Sequence, residues 1–169
     1  MAGFGSEQVA GFILECMAGF VGIRTAAQKT AGLQKWVLNN GTWKQAYVLS
    51  AGLGLGVPYT VSGYPNGLNP ATANNANPMG LPWKPATDGL RNITGRLNGD
   101  GTATIWAVTS TVSGSGDQGA DPNQLVKITD SLAATTLPGS ESFSTVRVAQ
   151  FGEVLRGVSF TPGTGLSGQ

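Results

Sequence analysis

Alternation of apolar and polar positions is clearest between Leu90 and Ala149. Two runs, Leu90–Leu97 and Thr102–Thr109, are rich in Thr, Ile, Val and Trp, as strands tend to be. They flank Asn98-Gly99-Asp100-Gly101, whose Gly and Asx residues accept the positive φ that tight hairpin turns require. In the second run Ala103, Ile105 and Ala107 share one face, and Thr104, Trp106 and Val108 share the other. Both faces are semi-apolar, which predicts a strand covered on both sides. A third run, Gln124–Asp130, follows a Ser/Gly/Asp loop, and a fourth, Ser142–Ala149, follows Leu137-Pro138-Gly139. Together they predict a four-stranded antiparallel meander.

The chain also echoes itself. Leu90-Arg91 returns as Leu155-Arg156, Leu33-Gln34-Lys35-Trp36 matches Leu125-Val126-Lys127-Ile128, and Trp43…Tyr47-Val48 matches Phe143…Arg147-Val148. Each match is weak alone, but three in consistent order describe a repeated unit. On this reading 32–49 is a partial blade, 51–89 a long Pro/Asn-rich loop, 90–149 a full blade, and 154–160 the opening strand of another. Four-stranded repeats in series are blades of a β-propeller. The expected fold is therefore all-β: an incomplete β-propeller with fewer than two four-stranded antiparallel blades and long loops. Closed propellers need about four blades or more, so the expectation includes either a longer parent protein or self-association.

The segments GLQKWVLNNGTW, GLRNITGRLNGDGTATIWAVTSTVSGSGDQGADPNQLVKITD and VLRGVSFTPG resemble bacterial and metagenomic exported propeller-repeat proteins, in their C-terminal portion. The resemblance covers roughly residues 30–163 and leaves a tail at 164–169. It implies a propeller fold and an extracellular or periplasmic setting, and it implies no activity. Residues 1–31 fall outside the pattern, with three readings open for Met1–Lys29: a divergent strand, a foreign leader, or the product of a truncated reading frame. Gly11–Ile23 is largely apolar, but no basic residue precedes Arg24, Glu7 lies ahead of the stretch and Glu15 interrupts it. The expectation from this pattern is neither a recognisable secretory signal nor a membrane span.

Composition narrows the chemistry. Ten basic and nine acidic residues give a net charge of +1, without the electrostatic footprint of a nucleic-acid binder. There is no histidine, which removes Ser-His-Asp and Cys-His nucleophile arrangements and the common His-based metal sites. Cys16 is the only cysteine, so no intrachain disulfide forms. The 26 glycines and nine prolines point to many turns.

Ala51–Gly89 holds six of the nine prolines, and no charged residue occurs from Gln45 through Trp83. Connections this long are uncommon in compact domains. Tyr59, Tyr64 and Trp83 offer flat faces with polar tips, and Asn74, Asn75 and Asn77 offer paired donors and acceptors. Such chemistry suits a neutral, hydroxyl-rich ligand such as a glycan; the plainer account is a loop whose aromatics cover the sheet. Asp117, Asp121 and Asn123 are oxygen donors at short spacing, a weak calcium candidate, although the EF-hand order is absent and turns use the same residues. No cofactor is implied. Asp88, Asp117, Asp121 and Glu153 are the acids available for a carboxylate pair. Arg91 and Arg156 occupy matching positions of two units, as a bridge between blades or part of a ligand-binding ring.

The expected function is a non-enzymatic structural or interaction module, partnered by itself or by further blades. A glycan-binding module using the 57–83 loop is the alternative, and a carboxylate-dependent hydrolase the second, on fold analogy alone.

Overall fold

The computed structural model describes residues 11–14, 30–69, 82–114 and 121–162. Its strands are β1 (Gly11–Leu14), β2 (Leu33–Asn39), β3 (Thr42–Leu49), β4 (Ala86–Leu97), β5 (Thr102–Val112), β6 (Gln124–Ser131) and β7 (Ser144–Val148). No helix occurs among the described residues, so none is long and apolar enough to cross a membrane. The strands form two antiparallel sheets, a first ordered β1-β2-β3 and a second ordered β4-β5-β6-β7. The all-β expectation and the meander both hold. Of the segment outside the repeat pattern, Gly11–Leu14 is a strand paired along β2; the rest of 1–29 lies outside the described residues.

Local chemistry sets the hairpins. Asn40 and Gly41 have φ of 48° and 76°, and Asn39 pairs with Thr42 across them. Two successive positive φ values make the tight turn whose twist matches its strands, and Asn-Gly is the dipeptide that adopts it most easily. At the β4–β5 turn the Asp100 carboxylate accepts from the Thr102 amide (3.1 Å) and hydroxyl (2.6 Å). These two bonds hold its pKa below the usual carboxylate value.

β4 begins at Ala86, ahead of the expected Leu90, because two bulges disguise its start. Asp88 and Arg91 are the extra residues, lying between the pairs Thr87–Thr111 and Gly89–Ser110 and between Leu90–Thr109 and Asn92–Val108. Bulges bend a strand and increase its twist, and here residues 86–90 are buried throughout. The preceding chain covers the β4 edge: the Gly56 amide donates to Thr87 O (2.9 Å) and the Tyr59 amide to Pro85 O (2.9 Å). These bonds occupy the start of that edge, where a stray strand would otherwise pair.

The two sheets face each other. Leu33, Tyr47 and Leu49 from the first meet Leu90, Ala103, Ile105, Ala107, Val126 and Ile128 from the second, with Leu53 and Phe143 closing the end. Ala103 and Ala107 leave room for larger side chains from opposite, the interdigitation that fills a core between sheets. The second face of β5 is covered too, as its composition predicts. Residues 154–160, expected as a strand, carry no ladder and instead lie across that face. Asn92 Oδ1 accepts from the Val158 amide (2.7 Å), Asn123 Oδ1 accepts from the Leu155 amide (2.7 Å), and Phe160 meets Trp106 edge-on at 5.3 Å.

Candidate functional site

The aromatic loop turns its polar tips inward. Tyr59 donates its hydroxyl to Pro122 O (2.7 Å), and Tyr64 donates to Asp121 Oδ1 (2.9 Å), which also accepts from Ser113 Oγ (2.8 Å). Burial, then the nearby Asp121 charge, pushes the Tyr59 phenol well above its ordinary range. Phe151 packs edge-on against the Tyr64 ring, with centroids 5.9 Å apart. Trp83 is half-buried, its amide bonded to Gly67 O (2.8 Å). Tyr59 and Tyr64 thus tie the loop to 121–122, while Trp83 is held at the other end of the same segment. Asn74, Asn75 and Asn77 lie outside the described residues.

Of the calcium candidates, Asp117 lies outside the described residues. Asp121 and Asn123 are buried. Asn123 donates to Thr109 O (2.9 Å) and Leu155 O (2.8 Å) while accepting from the Leu155 amide, so its side chain is a strut between β5 and the 154–160 segment. Among the described residues no group of three His, Cys, Asp or Glu side chains is placed to hold a metal ion. Asp88 is buried in the first β4 bulge, and Glu153 pairs with Arg147 at the surface (3.0 Å). Arg91 is the second bulge residue, and Arg156 is exposed on the crossing segment.

A different cluster, unanticipated from the sequence, sits between the sheets. Lys35 on β2 and Asp130 on β6 both have fully buried side chains, with Nζ 2.9 Å from Oδ2. Lys35 Nζ also donates to the Tyr47 hydroxyl (2.9 Å) and to Ser131 O, and Tyr47 donates to Asp130 Oδ1. Tyr47 is on β3 directly opposite Lys35, so three strands from two sheets converge on one carboxylate. Burial and the Asp130 carboxylate drive the Tyr47 phenol far above its ordinary pKa. Glu141 borders the cluster, with Oε1 accepting from the Ser131 amide (3.1 Å). Its Oε2 is buried with no hydrogen-bond partner. Burial raises the Glu141 pKa; the Asp130 carboxylate adds to this, and the Ser131 amide and Lys35 oppose it.

The signal for this cluster was present in the alternation. Lys35 shares the β2 face of Leu33, and Asp130 shares the β6 face of Val126 and Ile128, so each interrupts an apolar stripe. A charge at a core position needs a partner, because a buried ion without one costs several kcal/mol. No family model, curated protein or solved structure matches the chain.

Proposed function

We propose that the chain is a non-enzymatic stacking module, built to pack its sheets against further β units of the same kind in a propeller-like series. The observation that carries this reading is the direction in which repeated residues face. Leu33, Lys35 and Tyr47 point from the first sheet into the second. Their counterparts in the repeat, Leu125, Lys127 and Arg147, point the other way. Lys127 is exposed between the inward-facing Val126 and Ile128, and Arg147 is the cross-strand partner of Leu125. Two sheets sharing one core as a closed sandwich would turn equivalent positions toward each other. A head-to-tail series turns each toward the next member, as stacked repeats do.

Further support comes from residues 154–160, which resemble the start of the full unit and lie on the face of the second sheet that a next unit would cover. The far edge is open as well. β7 is exposed along its whole length, including Val146 and Val148, and among the described residues it is paired with β6 on one side only. Exposed edges of this kind invite pairing.

Sedimentation of the full chain over a range of concentrations tests the proposal. The expected result is a mass that rises with concentration and falls back to one chain in a Lys127→Glu/Arg147→Glu variant with unchanged circular dichroism. A wild-type chain that unfolds cooperatively and stays monomeric at every concentration would overturn it.

A further inference from the structure

We infer that Lys35 and Asp130 are the two halves of an intramolecular isopeptide bond, which the folded chain forms by itself and which locks its two sheets together covalently. This does not depend on the stacking reading. It rests on four features of the buried cluster. The amine and carboxyl groups are in contact, with Nζ 2.9 Å from Oδ2. Both side chains are fully excluded from solvent. Tyr47 holds Oδ1 through its hydroxyl. Glu141, anchored by the Ser131 amide and near enough to Asp130 and Lys35 for their charges to act on it, carries a carboxyl oxygen that is buried and without a hydrogen-bond partner.

Each feature matches a requirement of amide formation. The ammonium and carboxylate in contact become the amine and acid that condense when one proton passes from Nζ to Oδ2 across the 2.9 Å contact. The reaction also needs the reactants held in place. Effective molarities of well-oriented intramolecular reactions reach about 10⁵–10⁸ M. In the condensation the Nζ lone pair attacks Asp130 Cγ and negative charge develops on Oδ1, where the Tyr47 hydroxyl stabilises it as an oxyanion donor would. Glu141 takes a proton from Nζ and delivers one to Oδ2. The Cγ–Oδ2 bond then breaks, and Oδ2 departs as water. One amine and one acid become one amide and one water, with no oxidant, reductant or cofactor. Closing from the present contact to an amide C–N bond of about 1.33 Å requires a shift of about 2 Å, which the flexible lysine stem supplies.

Glu141 is suited to the relay. Its raised pKa keeps it protonated more readily than an ordinary glutamate, and the charges of Asp130 and Lys35 both act on it. The product amide would keep two of the existing hydrogen bonds and give up the one from Nζ to the Tyr47 hydroxyl, because an amide nitrogen carries one N–H. Its carbonyl accepts from Tyr47, and its N–H replaces the ammonium as donor to Ser131 O.

Intact-mass spectrometry of the denatured full chain decides the matter. The expected mass is lower than that of the sequence by one water. A tryptic digest is expected to contain a branched peptide joining 30–44, uncut at Lys35, to 128–147. Lys35→Met and Asp130→Ala should each restore the full sequence mass. Glu141→Gln, with native circular dichroism, should leave the chain uncondensed or slow its condensation by at least tenfold. A folded wild-type chain at full sequence mass would overturn the inference, as would a branch at other residues. Glu141→Gln condensing at the wild-type rate would overturn the relay.

Discussion

Gly52 lies against the main chain of Phe143, so closely that a Cβ at residue 52 would overlap the Phe143 carbonyl. The contact is fixed on both sides, because the Phe143 amide donates to Ala51 O (2.8 Å) and Gly52 has a φ of +82°. Side chains adopt that backbone conformation at a cost of about 1–3 kcal/mol even where space allows, and here the space is occupied. Gly52→Ala should therefore lower the stability by at least about 1–3 kcal/mol, read as a shifted urea midpoint at unchanged slope. Gly99→Ala is the control, since nothing lies within 4 Å of its would-be Cβ. It should change stability by no more than about 0.5 kcal/mol. Equal midpoints for the two variants would mean that the 50–54 turn is not seated on Phe143.

Tyr47 and Tyr59 are both hydrogen-bonded, but with different partners. The first donates to a buried carboxyl and accepts from a buried amine; the second donates to one backbone carbonyl. Tyr47→Phe keeps the ring in the core and strips the Asp130 carboxyl and the Lys35 amine of a partner, a loss of about 1–3 kcal/mol. Tyr59→Phe removes a part-buried neutral bond and should cost about 0.5–1.5 kcal/mol. Thermal or urea unfolding of the two variants gives the comparison. A smaller loss at Tyr47 would show that the hydroxyl there adds little to the inter-sheet cluster.

Hairpins and strand faces were legible because their causes are local. Asn40-Gly41 and the Asn98–Gly101 turn declare themselves by residue type, and the β5 alternation correctly implied cover on both sides. The β4 start was not legible, because Asp88-Gly89 looks like a turn and is a bulge inside a strand. Nor was the pairing of Lys35 with Asp130, 95 residues apart. Alternation assigns each residue a face but does not say which sheet lies opposite. Tyr59, Tyr64, Asp121 and Asn123 were singled out for unusual chemistry, and the structure uses their polar atoms to fasten loops. Side chains able to recognise a sugar or an ion are equally able to recognise a backbone.

Glu153 predicts a dependence on pH. Its carboxylate accepts from the Gln150 amide (3.0 Å) and from Arg147 (3.0 Å), and these contacts hold its pKa below the ordinary glutamate value of 4.5. A depressed carboxylate contributes stability that is fully present above the unfolded pKa and is lost as pH falls through the folded value. The contribution should therefore be constant above 4.5 and decay below it. The site is exposed, so the effect is small and weakens with added salt. Glu153→Gln should flatten this part of the acid limb in a plot of melting temperature against pH. An acid limb identical to the wild type would place the titration elsewhere.

Asn123 and Asn92 hold the crossing segment at separate points, which allows each to be released alone. Asn123 bonds both the amide and the carbonyl of Leu155, whereas Asn92 takes only the Val158 amide. Asn123→Ala strands two backbone groups of the segment and the Thr109 carbonyl, for a loss of about 1–3 kcal/mol. If the segment opens locally, that free energy appears as faster hydrogen exchange at Leu155, where every 1.4 kcal/mol corresponds to about tenfold. Asn92→Ala should speed exchange at Val158 and leave Leu155 close to its wild-type rate. Release at Val158 also separates Phe160 from Trp106 and wets the indole, so tryptophan emission should shift to the red in the Asn92 variant. Unchanged exchange at Leu155 in the Asn123 variant would mean that the other contacts alone keep the segment on the sheet.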